Sequence, residues 1–383
     1  MTIVPSELKP LSDNSFGKTF NVAIFGESHG YVVAALIDGC PAGLPLSVED
    51  IRTELDRRIP PDPVLTSARK ERDDVQILSG AYSGHTTGAP IALLTSNKDV
   101  RSQDYEKLMN VVRPGHADYP ARIKYGNFND LRGGGRASGR LTVPLIMAGA
   151  IARKLLNLVG IQVFAHTTQI RDVCLERSLS YEMIRTQAFT NSVRCADPVA
   201  AEKMRAVILK AREGGDSVGG VVECIAKGVP PGIGEPFFDN LDGDLAKIVF
   251  SIPAVKGFEV GLGFGASRVM GSENNDPYRI EEGRVITLTN NAGGILGGLS
   301  NGMPIVIRVA FKPPSSIPKE QRTVNLTSMK EDNVKITGRH DPCVVPKAVP
   351  VVESVVAIVL TDHCIRANRI PRVLGRFNQS NLS

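Results

Sequence analysis

The sequence predicts one intertwined α/β domain, and three observations lead there. Strand-like and helix-like stretches alternate irregularly, without the steady βαβ rhythm of a Rossmann domain or a barrel. No internal repeat and no low-complexity linker divides the 383 residues. Apolar residues make up 42%, enough for a substantial core in a chain of this length. The domain is expected to cover residues 16–370, with flexible tails at 1–15 and 371–383.

Each element has a local reason. Residues 20–25 read as a short strand that ends at Gly26, and the apolar run 32–37 reads as the next one, closed by a Pro/Gly-rich turn at 40–45. Ser47 with Asp50 marks a helix start; Ile51 and Leu55 share one face, and Pro60 and Pro61 stop it. Residues 62–74 are polar and irregular, as in a mobile loop. The clearest helix spans 143–159, with Thr142 as N-cap, Pro144 in the first turn and Gly160 just past the end. Its apolar residues nearly encircle it, so it is expected to be buried. Residues 161–165 form a strand, 199–211 an amphipathic helix and 218–226 the strand after it. The last helix lies within 347–362, followed by a polar tail after Pro371.

Composition narrows the function. The net charge is +5, yet no Lys/Arg block of the nucleic-acid-binding kind occurs. Arg132, Arg136 and Arg140 instead stand among glycines, which suits a compact phosphorylated ligand. Six cysteines lack a CxxC spacing and read as reduced thiols, with Cys174 and Cys224 expected to be buried. No secretory signal is evident at the N-terminus. The most apolar run, 349–360, is interrupted by Pro350 and Glu353, so no segment reads as a membrane span. A cytoplasmic protein is expected, with neither nucleic acid nor membrane as partner.

Several glycine-rich segments carry chemistry-bearing side chains. Gly26-Glu27-Ser28-His29-Gly30 sets an imidazole on a tight turn straight after a strand. Arg113-Pro114-Gly115-His116-Ala117-Asp118 presents a second histidine in a comparable turn. Gly133-Gly134-Gly135-Arg136-Ala137-Ser138-Gly139-Arg140 offers free backbone N–H groups and guanidiniums to an anion, without the Gly-Lys-Ser/Thr of a P-loop. Asn290 to Gly298 is a further backbone-rich stretch, Lys312-Pro313-Pro314-Ser315-Ser316 adds an ammonium and two hydroxyls, and Gly338-Arg339-His340-Asp341-Pro342-Cys343 joins a base, a carboxylate and an arginine. Each segment alone is also compatible with a structural turn. Zinc hydrolase and serine hydrolase chemistry are unsupported, for want of HExxH and GxSxG.

Five of these segments, together with Arg101-Ser-Gln-Asp-Tyr105, resemble the chorismate synthase family: Phe25-Gly-Glu-Ser-His-Gly30, Arg113-Pro-Gly-His-Ala-Asp118, Arg132-Gly-Gly-Gly-Arg136, Asn290 to Gly298 and Gly338-Arg-His-Asp-Pro-Cys343. They occur in family order over nearly the whole chain. The resemblance implies a β-α-β sandwich assembled as a homotetramer. It implies an anti-1,4 elimination of phosphate from 5-enolpyruvylshikimate-3-phosphate that requires reduced FMN. His29 would protonate or neutralise the departing phosphate, His116 would hold the reduced flavin in its productive charge state, and Asp341 would act near flavin N5. FMN contacts would come from Arg136, Ala137, Ser138, Ala254, Gly297, Lys312, Pro313, Pro314, Ser315, Ser316 and Arg339. Arg57, Arg58 and Arg140 would meet substrate phosphate and carboxylates.

The sequence departs from the common family pattern at Val64, Leu141, Pro253 and Pro314, positions that bear on affinity rather than on the two histidines or Asp341. Some fungal members reduce their own FMN with NADPH and tend to be longer. This chain shows no long insertion, so an external source of reduced flavin is expected. A flavin reductase would share the flavin loops but need a nicotinamide site. A nucleotide-binding module would not need His29, His116 and Asp341 together.

Overall fold

The computed structural model describes residues 12–59, 62, 65, 73–98, 110–336 and 340–376. Two five-stranded antiparallel sheets enclose a helical layer. The first runs in the order Ser15–Phe16, Asn21–Gly26, Val32–Asp38, Ile91–Ser96, Val75–Ile77. The second runs Val255–Val260, Ile305–Phe311, Gly220–Lys227, Gln162–Ile170, Val173–Cys174. The helix Thr142–Leu158 packs on the first sheet and on the helix Val345–Arg366, which packs in turn on the second. This is the α/β sandwich that the resemblance implied.

The two central helices explain the sandwich. Both are apolar nearly all round, so each must be covered on every side. They pack closely where Gly149 meets Ser354: a Cβ at Gly149 would stand 2.3 Å from that of Ser354. Gly139–Leu158 and Val345–Arg366 are long and apolar enough to cross a membrane, contrary to the expectation that no segment is, but both are largely buried in the core. Pro350 sits inside the second of them, where Ser354 Oγ donates to its carbonyl at 2.7 Å. Glu353, fully buried, accepts from Ala165 N at 2.9 Å and pairs with Arg153 at 2.5 Å and Arg57 at 2.6 Å. A buried carboxylate is tolerable only when so completely partnered.

Local expectations hold where the signal is local. Ser47 and Asp50 form a reciprocal capping box at the start of Val48–Asp56, which buries Ile51 and Leu55. Thr142 is not the N-cap of its helix; it is already helical, and its Oγ1 donates to Gly139 O at 2.6 Å. The amphipathic helix is Pro198–Glu213, capped by Asp197. Described residues near both ends make backbone pairings. Ser15 pairs with Ala23, and Ala42 N donates to Arg372 O at 3.0 Å. Asp362 accepts from the backbone N–H groups of Lys18, Thr19 and Phe20, fixing the entry to the first long strand. The rest of both expected tails, most of the 62–74 loop, Val64 and the 101–105 motif lie outside the described residues.

Candidate active site

The Asn21–Gly26 strand delivers His29 to a turn that is buried against the triple-glycine loop. Ser28 N donates to Gly135 O at 3.2 Å, and Ser28 Oγ donates to Arg132 O at 3.3 Å. Gly133 (φ +67°) lies so close to the imidazole that a Cβ there would meet His29 Nε2 at 2.6 Å. Its neighbour Gly134 (φ +140°) lies against the other histidine, with a built Cβ 3.3 Å from His116 Nε2. Only glycine combines such φ values with so near an approach. Two imidazoles far apart in sequence therefore meet consecutive residues of one loop.

His116 is oriented from behind. Its Nδ1 lies 2.7 Å from Asp118 Oδ1, and Arg113 grips the same carboxylate through Nε and Nη2, each at 2.7 Å. Arg113 Nη2 also stands 3.2 Å from His116 Nδ1. An ionised carboxylate can only accept, so the shorter contact with Asp118 places a proton on Nδ1, and the donor-only guanidinium is then a neighbour of that nitrogen rather than its hydrogen-bond partner. Burial raises the Asp118 pKa, but the hydrogen bonds from Arg113 and His116 outweigh it and hold this carboxyl well below the usual range.

The remaining segments join this pair through a chain of contacts. Lys312 Nζ donates to Gly115 O at 2.7 Å, beside His116, while Lys312 N donates to Ala254 O at 2.9 Å. Ser217 Oγ donates to Pro314 O at 2.6 Å, and the next residue, Val218, donates its N–H to Pro342 O at 2.9 Å. Asp341 is thus attached to the same framework, with Lys347 Nζ 2.7 Å from its carboxylate. Arg136 reaches back from the glycine loop to Asn14 Oδ1 at 2.6 Å and to the carbonyls of Ile24 and Gly26. A cleft of about 620 Å³ opens here, lined by Glu27, His116, Tyr125, Gly134, Arg136 and Ala137. A second, of about 490 Å³, shares Arg136 and is lined by Leu141, Lys247 and Pro253.

Other expected residues stand differently. Arg58 Nη2 donates to Gly139 O at 3.2 Å, beside the glycine loop. Arg57 is instead engaged by Glu54 and Glu353, each at 2.6 Å, and lies 4.1 Å from the centroid of the Phe189 ring. Arg140 is buried and engaged by Asp73, by Asn97 Oδ1 at 2.8 Å and by Ser96 O at 3.2 Å. Both were expected to meet substrate anions, and both hold protein groups. Ser138 Oγ accepts from Arg140 N at 3.2 Å. Gly297 (φ +60°) turns the hairpin Ile295–Leu296/Leu299–Ser300, where a Cβ would meet nothing within 4 Å among the described residues. Arg339 lies outside the described residues. Cys224 is buried as expected, but Cys174 is exposed, on the edge strand of the second sheet. Asp118, Arg113 and Asn97 were not among the expected site residues. Asp118 and Arg113 share the His116 motif, so their spacing offered a signal; Asn97 offered none.

Two imidazoles against one glycine loop, flanked by arginine and lysine, are the groups an enzyme would need to move protons beside an anionic ligand. Comparison with known proteins gives this class a family. Residues 20–365 match the chorismate synthase family. A chorismate synthase of Dehalococcoides mccartyi is 50% identical over 361 residues, covering 94% of this chain and 99% of its own. One from Korarchaeum cryptofilum is 51% identical over 354 residues, covering 92% and 98%. A crystal structure of chorismate synthase superposes with a TM-score of 0.72 at 34% identity, covering 92% of this chain and 93% of that one. The chain belongs to the chorismate synthase family. It is a carbon–oxygen lyase acting on phosphates, and its reaction is the elimination of phosphate from 5-enolpyruvylshikimate-3-phosphate to give chorismate.

Proposed function

We propose that the cleft beside His29 and His116 holds the phosphorylated substrate together with reduced FMN, and that the two histidines and Asp341 manage the proton and charge changes of the elimination. The observation that carries this reading is the placement of both imidazoles on Gly133 and Gly134. His29, at the buried turn, gives a proton to the departing phosphate or offsets its charge, as an imidazole can near pH 7. His116, its Nδ1 proton committed to Asp118, directs Nε2 at the ligand. Asp341, anchored by Lys347, serves where the ring proton leaves. Arg58 meets a substrate anion.

The groups present suit a flavin. The larger cleft falls within the usual size of a cofactor site and combines aromatic walls, Tyr125 and Phe128, with Arg136 and glycine backbone. Burial lowers the Lys312 pKa, and the nearby Lys256 charge adds to this, so an anion beside them would be favoured. Arg136, Ala137, Ser138, Ala254, Gly297, residues 312–316 and Arg339 would hold the cofactor. When bound, reduced FMN supplies electron density to the substrate ring that no side chain can.

In this reading residues 16–370 form one catalytic domain, supported by a hydrophobic core cluster reaching from Phe20 to Ile370. The enzyme works as a homotetramer in the cytoplasm, without nucleic acid or membrane, and takes reduced flavin from outside. Exposed Phe237, Phe238, Phe264, Tyr278 and Ile280 support assembly, since large exposed apolar side chains favour subunit contact. The test is anaerobic incubation with the enolpyruvyl substrate and FMN, following chorismate and free phosphate. Turnover is expected with reduced FMN and none with oxidised FMN. Chorismate formed at full rate without flavin overturns the mechanism, and sustained flavin bleaching by NADPH alone overturns the external source.

A further inference from the structure

We infer that Asn97 is a positioning residue that sets the His29 turn for catalysis. It follows directly on the Ile91–Ser96 strand, on the far side of Val32–Asp38 from the strand that leads to His29. Every polar group that Asn97 directs toward the turn is used. Its N–H donates to Tyr31 O at 3.0 Å, and its Nδ2 donates to Glu27 O at 3.0 Å and to Gly30 O at 2.8 Å. Its Oδ1 accepts from Arg140 Nε at 2.8 Å. Arg140 is itself fixed by Asp73 and Ser96 O.

The geometry has one reading in chemistry. Two carbonyls bracket Ser28 and His29, and one primary amide donates to both; Glu27 O also accepts from Gly30 N at 3.1 Å, so the amide ties an already closed turn to the neighbouring strand. An asparagine fits because it donates twice and accepts once; aspartate, of the same shape, cannot donate. The turn is held from the other side by the glycine loop, through Ser28 and Gly133. His29 therefore sits between a fixed loop and a fixed amide, and a displacement of the order of 1 Å is enough to slow a positioned proton transfer.

This inference rests on the role proposed for His29, and the experiment separates the two. Asn97→Ala, Asn97→Asp, His29→Ala and the double variant Asn97→Ala/His29→Ala are compared as purified enzymes with reduced FMN. Both Asn97 variants should lose about 10- to 100-fold in kcat, with KM for substrate and Kd for FMN within about threefold. Asn97→Asp keeps the acceptor for Arg140, so a loss equal to that of Asn97→Ala assigns the effect to the turn. The double variant should be no slower than His29→Ala, as expected for residues acting as a unit. Near-wild-type kcat in Asn97→Asp, or a double variant slowed by the product of the single effects, overturns the inference while His29→Ala stays impaired. Full activity in His29→Ala overturns the underlying role instead.

Discussion

Asp118 Oδ1 stands 2.7 Å from His116 Nδ1, and Arg113 clamps the same carboxylate. Asp118→Asn removes the charge that fixes the His116 tautomer while keeping the shape. We expect kcat to fall about 10- to 100-fold, the scale seen when an orienting partner of a functional histidine is lost. Steady-state kinetics with reduced FMN check it; kcat within twofold of wild type contradicts the orienting role.

The same pair predicts a pH dependence of stability. Asp118 is held below the ordinary carboxyl range in the fold, so its unfolded pKa, about 3.9, is the higher one. Its contribution is therefore fully present above about pH 4 and is lost as pH falls below that. Urea unfolding of wild type and Asp118→Asn should differ at pH 7 and converge as the acid limit is approached. A gap that is constant across this range removes the linkage.

Gly133→Ala tests the packing of the glycine loop on His29. The substitution puts a methyl 2.6 Å from Nε2 at a residue with φ +67°, so either the ring or the loop must move. The expected result is a kcat loss like that of His29→Ala, about 10²-fold or more, at a melting temperature lowered by only a few degrees. Unchanged kcat would place His29 away from the reacting centre.

Glu353→Ala should destabilise the fold by about 3–5 kcal/mol, because it leaves Arg57 and Arg153 beside an emptied buried site. Denaturant unfolding reads this directly. A change below about 1 kcal/mol would mean that the cluster behaves like a surface ion pair.

Thiol labelling should separate the cysteines. Cys174 is exposed, whereas burial pushes the Cys40, Cys343 and Cys364 thiols up to about 12 and Cys195 to about 11. Iodoacetamide at pH 8, followed by mass spectrometry, should modify Cys174 in the native protein and the others only after unfolding. Labelling of Cys343 at the rate of Cys174 would show that its segment opens.

What the sequence determined by itself was local or was carried by motifs. The Ser47/Asp50 box starts its helix because a cap needs only residues three apart, and a helix apolar nearly all round announces its own burial. The family was legible because glycines and histidines in fixed order tolerate few replacements. Residues 91–96 were harder, since a short apolar run does not distinguish a strand from a buried helical turn. Tertiary structure alone decided which protein groups each guanidinium meets. Arg57, Arg58 and Arg140 look alike in sequence, and only packing brings Glu353 to Arg57 and Asp73 to Arg140. It also decided that Cys174 faces out, from an edge strand, and that Asn97 reaches the His29 turn. Pairing energies depend on distance through space, and only the packed sandwich sets which side chains share it.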